Sequence, residues 1–165
     1  MLETFRNYQP KENPEFGQKK KLVGDAVAQV QSLTKITSKK GADWVVLKCE
    51  AIHPIADPKG RETTVEAGDE LTKVYNPADG ESMQGLADDL FTAGIDFSKD
   101  VDTEDALLAN MAEAAKGKLV YFRTWGKDKT AEQLEKNPNP PFFQNIIIKP
   151  SKLITEDLKV PMLPF

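Results

Sequence analysis

Along the chain the spacing of apolar residues changes twice, dividing it into strands, helices and strands again. Over residues 20–37 the period is close to two. Leu22, Ala26, Ala28 and Val30 share one side, while Asp25, Gln29 and Gln31 mark the other. Ser38-Lys39-Lys40-Gly41 reads as a turn, with glycine supplying the permissive backbone and both lysines at the tip. The segment 44–52 alternates more cleanly. Val45, Leu47, Cys49 and Ala51 form one face, Trp44, Val46, Lys48 and Glu50 the other, and Pro54 is expected to end the strand. A second turn, Asp57-Pro58-Lys59-Gly60, leads into a longer third strand over 62–75, interrupted at Gly68 by a bulge and closed by Asn76-Pro77.

The period then becomes helical. Met83, Leu86, Ala87, Leu90 and Phe91 recur at helix spacing, with Gly94 placed to cap the end. Asp102 is expected to N-cap a second helix reaching Lys116, with Glu104 and Asp105 in its first turn and Gly117 beyond it. Leu107, Leu108, Met111 and Ala115 are its apolar stripe. A fourth strand over 118–125 follows, then a long loop containing Asn137-Pro138-Asn139-Pro140-Pro141, then a fifth strand over 142–149. Three strands, a helical insertion and two strands is the order of the OB-fold, a five-stranded Greek-key barrel. The expectation is therefore a mainly β domain over 19–150, flanked by a flexible polar arm over 1–18 and a tail over 151–165. OB-folds bind along strands 2 and 3 and the loops 1–2 and 4–5, here 44–52, 62–75, 38–43 and 126–141.

Charge sharpens this picture. The total of −4 divides into −1 over 1–18, +4 over 19–50, −11 over 51–115 and +4 over 116–165. The acid is pooled in the helical stretch. The two basic segments are the strand-rich ones, and they also hold Trp44, Tyr121, Phe122, Trp125, Phe142 and Phe143. Cations interleaved with aromatics suit a single-stranded nucleic acid, which offers phosphates and base faces. A solvated β-domain with scattered aromatics is the plainer account.

The strand order, Gly117-Lys118-Leu119-Val120-Tyr121-Phe122 after the helices, and the closing Phe143-Gln144-Asn145-Ile146-Ile147 together resemble the small single-stranded-DNA-binding proteins of bacteriophages, over about 20–149. That resemblance implies an OB-fold that coats single-stranded DNA in replication or recombination with little sequence preference. It also implies a role in the host cytoplasm and recruitment of replication or recombination proteins by an acidic tail ending in an aromatic residue. Here the tail ends in Pro164-Phe165 but carries only Glu156 and Asp157 as acids, which departs from that pattern.

Site residues follow from the faces. With Val120 and Phe122 inward, Tyr121, Arg123 and Trp125 project outward in a row, and Trp125 sits at the root of the loop carrying Lys127 and Lys129. With that strand inverted, Tyr121 and Trp125 would instead cap the core. Trp44 and Lys48 share the outer face of strand 2 beside Lys39 and Lys40, and Lys73 and Tyr75 on strand 3 extend the same platform. Trp44 also fits a lid on a barrel end.

Other classes lack their parts. Cys49 is the one cysteine, so no internal disulfide can form within the chain, and the one histidine, His53, between Ile52 and Pro54, has no Cys or Ser motif to make a catalytic triad. No phosphate loop, dinucleotide fingerprint or zinc spacing occurs, and no enzyme activity or cofactor is expected. Asp96, Ser98, Asp100, Asp102 and Glu104 alternate like a calcium loop. Val101 stands where that loop needs glycine, and Leu107 where it needs glutamate. No apolar run reaches the ~20 residues that cross a bilayer, so a non-membrane protein is expected, with self-association left open. The alternative function is an adaptor that holds protein partners through the acidic helices and the apolar tail.

Overall fold

The computed structural model describes residues 20–154. The expected arm over 1–18 and the tail from 155, including Pro164 and Phe165, lie outside the described residues. At the centre is β1 (Gly24–Thr37), which pairs antiparallel with β2 (Asp43–Ile55) along its length and with β4 (Leu119–Asp128) over its first half. β3 (Glu70–Tyr75) pairs with β2, and β5 (Phe142–Lys149) with β4. The result is one five-stranded antiparallel sheet in the order β3-β2-β1-β4-β5. The sheet is open, with β3 and β5 as its edges.

Two register shifts explain the blurred pattern of β1. Gln31 is an extra residue between Val30, opposite Cys49, and Ser32, opposite Lys48; Ile52 is an extra residue in β2 opposite the Val27–Ala28 step. The bulge at Gln31 moves the inward phase from even to odd numbers, so Leu33 follows Ala26, Ala28 and Val30 into the core. Val45, Leu47, Cys49 and Ala51 meet them from β2, and Val120 and Phe122 from β4.

α1 (Gly80–Thr92) and α2 (Glu104–Ala115) cover this inner face with Leu86, Leu90, Met111 and Ala115. α1 starts where the Asp79 carboxylate accepts the Glu81 N–H at 3.0 Å. It ends in a Schellman motif: Gly94, at φ 75°, donates to the Phe91 carbonyl, and Ile95 donates to the Leu90 carbonyl. α1 contacts both edge strands, so a helix, and no β3–β5 ladder, stands between the two edges.

Several expected boundaries move. β1 begins at Gly24, after Leu22 is already buried. β2 runs through Pro54, which pairs with Ala26. β3 ends its ladder at Glu70 opposite Glu50, so beyond that point β2 is an edge where the missing proline N–H costs no ladder bond. The third strand is only Glu70–Tyr75; residues 61–67 are irregular, tied down by Val65 in the core and by Thr64 donating to the Val23 carbonyl. Gly68, at φ 94°, lies in a turn ahead of the strand and makes no bulge in it. Thr103, one residue later than Asp102, caps α2 by accepting the Ala106 N–H at 3.0 Å, and the helix stops at Ala115. The long loop holds α3 (Ala131–Lys136), set by a capping box between Thr130 and Gln133.

On the outer face a smaller apolar cluster joins Val27, Tyr121 and Ile154, with Ile52, Ile55, Leu119 and Leu153 around it. The start of the expected tail, residues 151–154, therefore packs onto the sheet. Among the described residues no helix is long and apolar enough to cross a membrane.

Candidate nucleic-acid interface

The outer face of β4 and β5 is built rung by rung from the sequence. Antiparallel register sets Tyr121 opposite Lys149, Arg123 opposite Ile147, Trp125 opposite Asn145 and Lys127 opposite Phe143. Each rung joins an aromatic or aliphatic side chain to a polar or cationic one. Trp125 is 39% exposed, Phe143 44% and Ile147 42%, three of the five large apolar side chains exposed among the described residues. No carboxylate stands at any of these eight positions. Lys129 lies 5.1 Å from the centre of the Phe143 ring, and its ammonium donates to the Asn137 carbonyl at 3.0 Å. The helices on the opposite face carry the acid: residues 79–115 contain ten carboxylates and one base, Lys99.

Beside this face runs a groove of about 740 Å³ between β4 and the segment that follows β2. Its walls include Trp125, Arg123, Arg61, Asp25 and Asp57. The Asp57-Pro58-Lys59-Gly60 turn fixes Asp57, whose carboxylate accepts the Lys59 N–H at 2.9 Å and the Arg61 Nε–H at 2.5 Å. Across the groove Arg123 donates to both Asp25 oxygens, at 2.9 and 3.0 Å, and the Tyr121 hydroxyl donates to Asp25 at 2.8 Å. The two pairs sense each other. The hydrogen bond and charge of Asp57 raise the Arg61 guanidinium above its ordinary value, with Arg123 opposing and Asp25 reinforcing. The groove lining thus holds two carboxylate–guanidinium pairs together with Lys59 and Glu62, and both guanidiniums remain more than half exposed.

The expected site residues fall into three groups. Arg123, Trp125, Lys127 and Lys129 lie together as just described. Lys39, Lys40, Trp44 and Lys48 lie toward the other end of the sheet. Trp44 pairs with Ile36, eleven positions along β1 from Asp25, which is about 35 Å of strand contour. Lys48 reaches Glu70 at 3.5 Å. Lys73 and Tyr75 sit on the inner face, against expectation, because they pair with the core residues Leu47 and Val45. Both bind the Asp89 carboxylate of α1, at 2.6 and 2.5 Å. Burial, with Asp89 beside it, pushes the Tyr75 phenol above its ordinary value. Tyr121 does project outward, but Ile154 covers it and it is 3% exposed. Neither tyrosine offers a ring face to a base here.

Sequence reasoning left out Phe143, Ile147 and Arg61. Alternation through β5 carries a signal for the first two, since Phe142, Gln144, Ile146 and Ile148 share the opposite face; the run of three isoleucines masks it. Arg61 has no such signal, because only the tertiary fold brings its loop to β4. Cys49 is a core side chain whose thiol burial pushes up to about 12, so it stays protonated at neutral pH. Among the described residues no three carboxylate, imidazole or thiol groups are grouped to hold a metal ion. Comparison with known proteins finds no family model and no curated protein that matches this chain.

Proposed function

We propose that the protein binds single-stranded DNA, without catalysis and with little sequence preference, on the outer face of β4 and β5. The carrying observation is the ladder on which exposed Trp125, Phe143 and Ile147 alternate with Lys127, Lys149 and Arg123, the last of them paired with Asp25 of β1. Such a surface gives cations to phosphates and π-faces to bases, the two contacts that sequence-tolerant binding requires. The segregation of acid onto the helical side supports it, since a strand is drawn to one face and repelled from the other. The open antiparallel order β3-β2-β1-β4-β5 supports a reading of the sheet as an OB-fold variant without a β3–β5 ladder. The resemblance to phage proteins suggests work in phage-type DNA replication or recombination. Lys39, Lys40, Trp44 and Lys48 then form a second basic patch that a longer strand can reach, while Lys73, Tyr75 and Tyr121 have structural roles.

Trp125→Ala tests this. Loss of one stacking ring should cost about 1–3 kcal/mol of single-strand affinity, with the thermal midpoint nearly unchanged, since the ring is part-exposed. Unchanged affinity, or loss of the fold, would remove Trp125 from the interface.

One observation favours the adaptor alternative. Phe91 on α1 is 82% exposed within the acidic layer. Protein association that survives high salt, in the absence of DNA binding, would support that function.

A further inference from the structure

We infer that the groove between β4 and the Asp57–Arg61 turn takes a nucleobase of the bound strand, while the phosphates stay outside it on the β4–β5 lysines. This rests on the DNA-binding function proposed above and deepens it. A row of arginines beside a tryptophan suggests phosphate binding at first sight, but the charges in the groove argue otherwise. Each guanidinium is already held by a carboxylate, Arg61 by Asp57 and Arg123 by both oxygens of Asp25. A phosphate entering there would meet the carboxylates of Asp25, Asp57 and Glu62 as well as the cations of Lys59, Arg61 and Arg123. The groove is electrically balanced, which suits a neutral, planar, polar-edged ligand.

Guanidinium N–H groups point along the plane of the group, so the hydrogen bonds to Asp25 and Asp57 engage its edges and not its π-faces. A fixed guanidinium face is a stacking surface for a base, as is the indole of Trp125 in the same wall. The carboxylate oxygens and the remaining guanidinium N–H groups can then accept from and donate to a base edge. Holding the guanidinium beforehand also lowers the ordering cost when the base arrives. A groove of about 740 Å³ admits a base together with its sugar. The phosphates on either side would emerge next to Lys127 and Lys149, which have no carboxylate opposite them.

Asp57→Asn separates a base site from a phosphate site because the two give opposite signs. Asparagine keeps a side-chain oxygen for the Lys59 N–H, so the turn is retained, and thermal unfolding checks this. If Asp57 holds a stacking guanidinium, the variant binds oligothymidylate more weakly, on the order of five-fold, despite its more positive charge. Its salt slope is then unchanged. An oligothymidylate carrying abasic sites should also lose less affinity against the variant than against the wild type. If the groove binds phosphate, removing the competing carboxylate strengthens binding and steepens the salt slope by roughly 0.7. That result overturns the inference, as does an affinity indifferent to Asp57→Asn in a protein whose binding depends on Trp125. A wild type with no affinity for single strands at low salt would overturn the DNA-binding function itself.

Discussion

Asp25 accepts three hydrogen bonds from two side chains. Its carboxylate accepts two hydrogen bonds from Arg123 and one from Tyr121, tying the first strand to the fourth on the outer face. Burial alone would raise this carboxyl, but the hydrogen bonds from Arg123 and Tyr121 outweigh it and hold it below the ordinary carboxylate value. A depressed native value stabilises the fold fully above the unfolded value of about 3.9. That stability is lost as pH falls through the native value. The thermal midpoint should therefore drop between about pH 5 and about pH 2, and Asp25→Asn should drop less over the same window. An equal drop in the two proteins would remove Asp25 from the acid response. That Arg123 and Trp125 share a face was legible from alternation, while burial of Val120 and Phe122 in the core fixes that face as the outer one. Burial of Tyr121 was not legible, since it depends on residues 151–154 returning across the sheet.

Among the elements, α1 is the one on which the edges of the sheet depend. It meets β3 and β5, and Asp89 on its sheet-facing side takes both Lys73 and Tyr75. Hydrogen bonds to a charged group are worth about 1.5–3 kcal/mol each way of counting, so Asp89→Ala should destabilise the fold by about 2 kcal/mol. Single-strand affinity should be unaffected, because the contact lies on the opposite face from Trp125. Denaturant unfolding with a parallel binding titration checks both halves; weaker binding at intact stability would place Lys73 or Tyr75 back at the interface. The helices and most strands were readable from their periods, including the glycine cap at Gly94. Strand 3 was misread because residues 62–69 have strand-like composition yet hold their place through Val65 and Thr64 without a ladder. Its true length of six residues leaves alternation too short to phase. The Thr130–Gln133 capping box was a readable signal for α3 and marks the turn of the chain between β4 and β5.

At the scale of the molecule, charge is sorted across the sheet. Carboxylates concentrate on the helical side, and the outer surface of β4 and β5 presents lysine, arginine and exposed aromatic and aliphatic side chains. The segmental charges in the sequence already implied such sorting; the open edges and the paired arginines of the groove emerge only from tertiary contacts. The central claim is that Trp125 touches a bound single strand. The most direct measurement is a fluorescence titration of Trp44→Phe, in which Trp125 is the one remaining indole. Oligothymidylate and a duplex of equal length would be compared at low and moderate salt. Quenching by the single strand alone, weakening as salt rises, is the result predicted by phosphate neutralisation coupled to stacking. Equal response to the duplex, or binding that leaves the Trp125 signal unmoved, would contradict it.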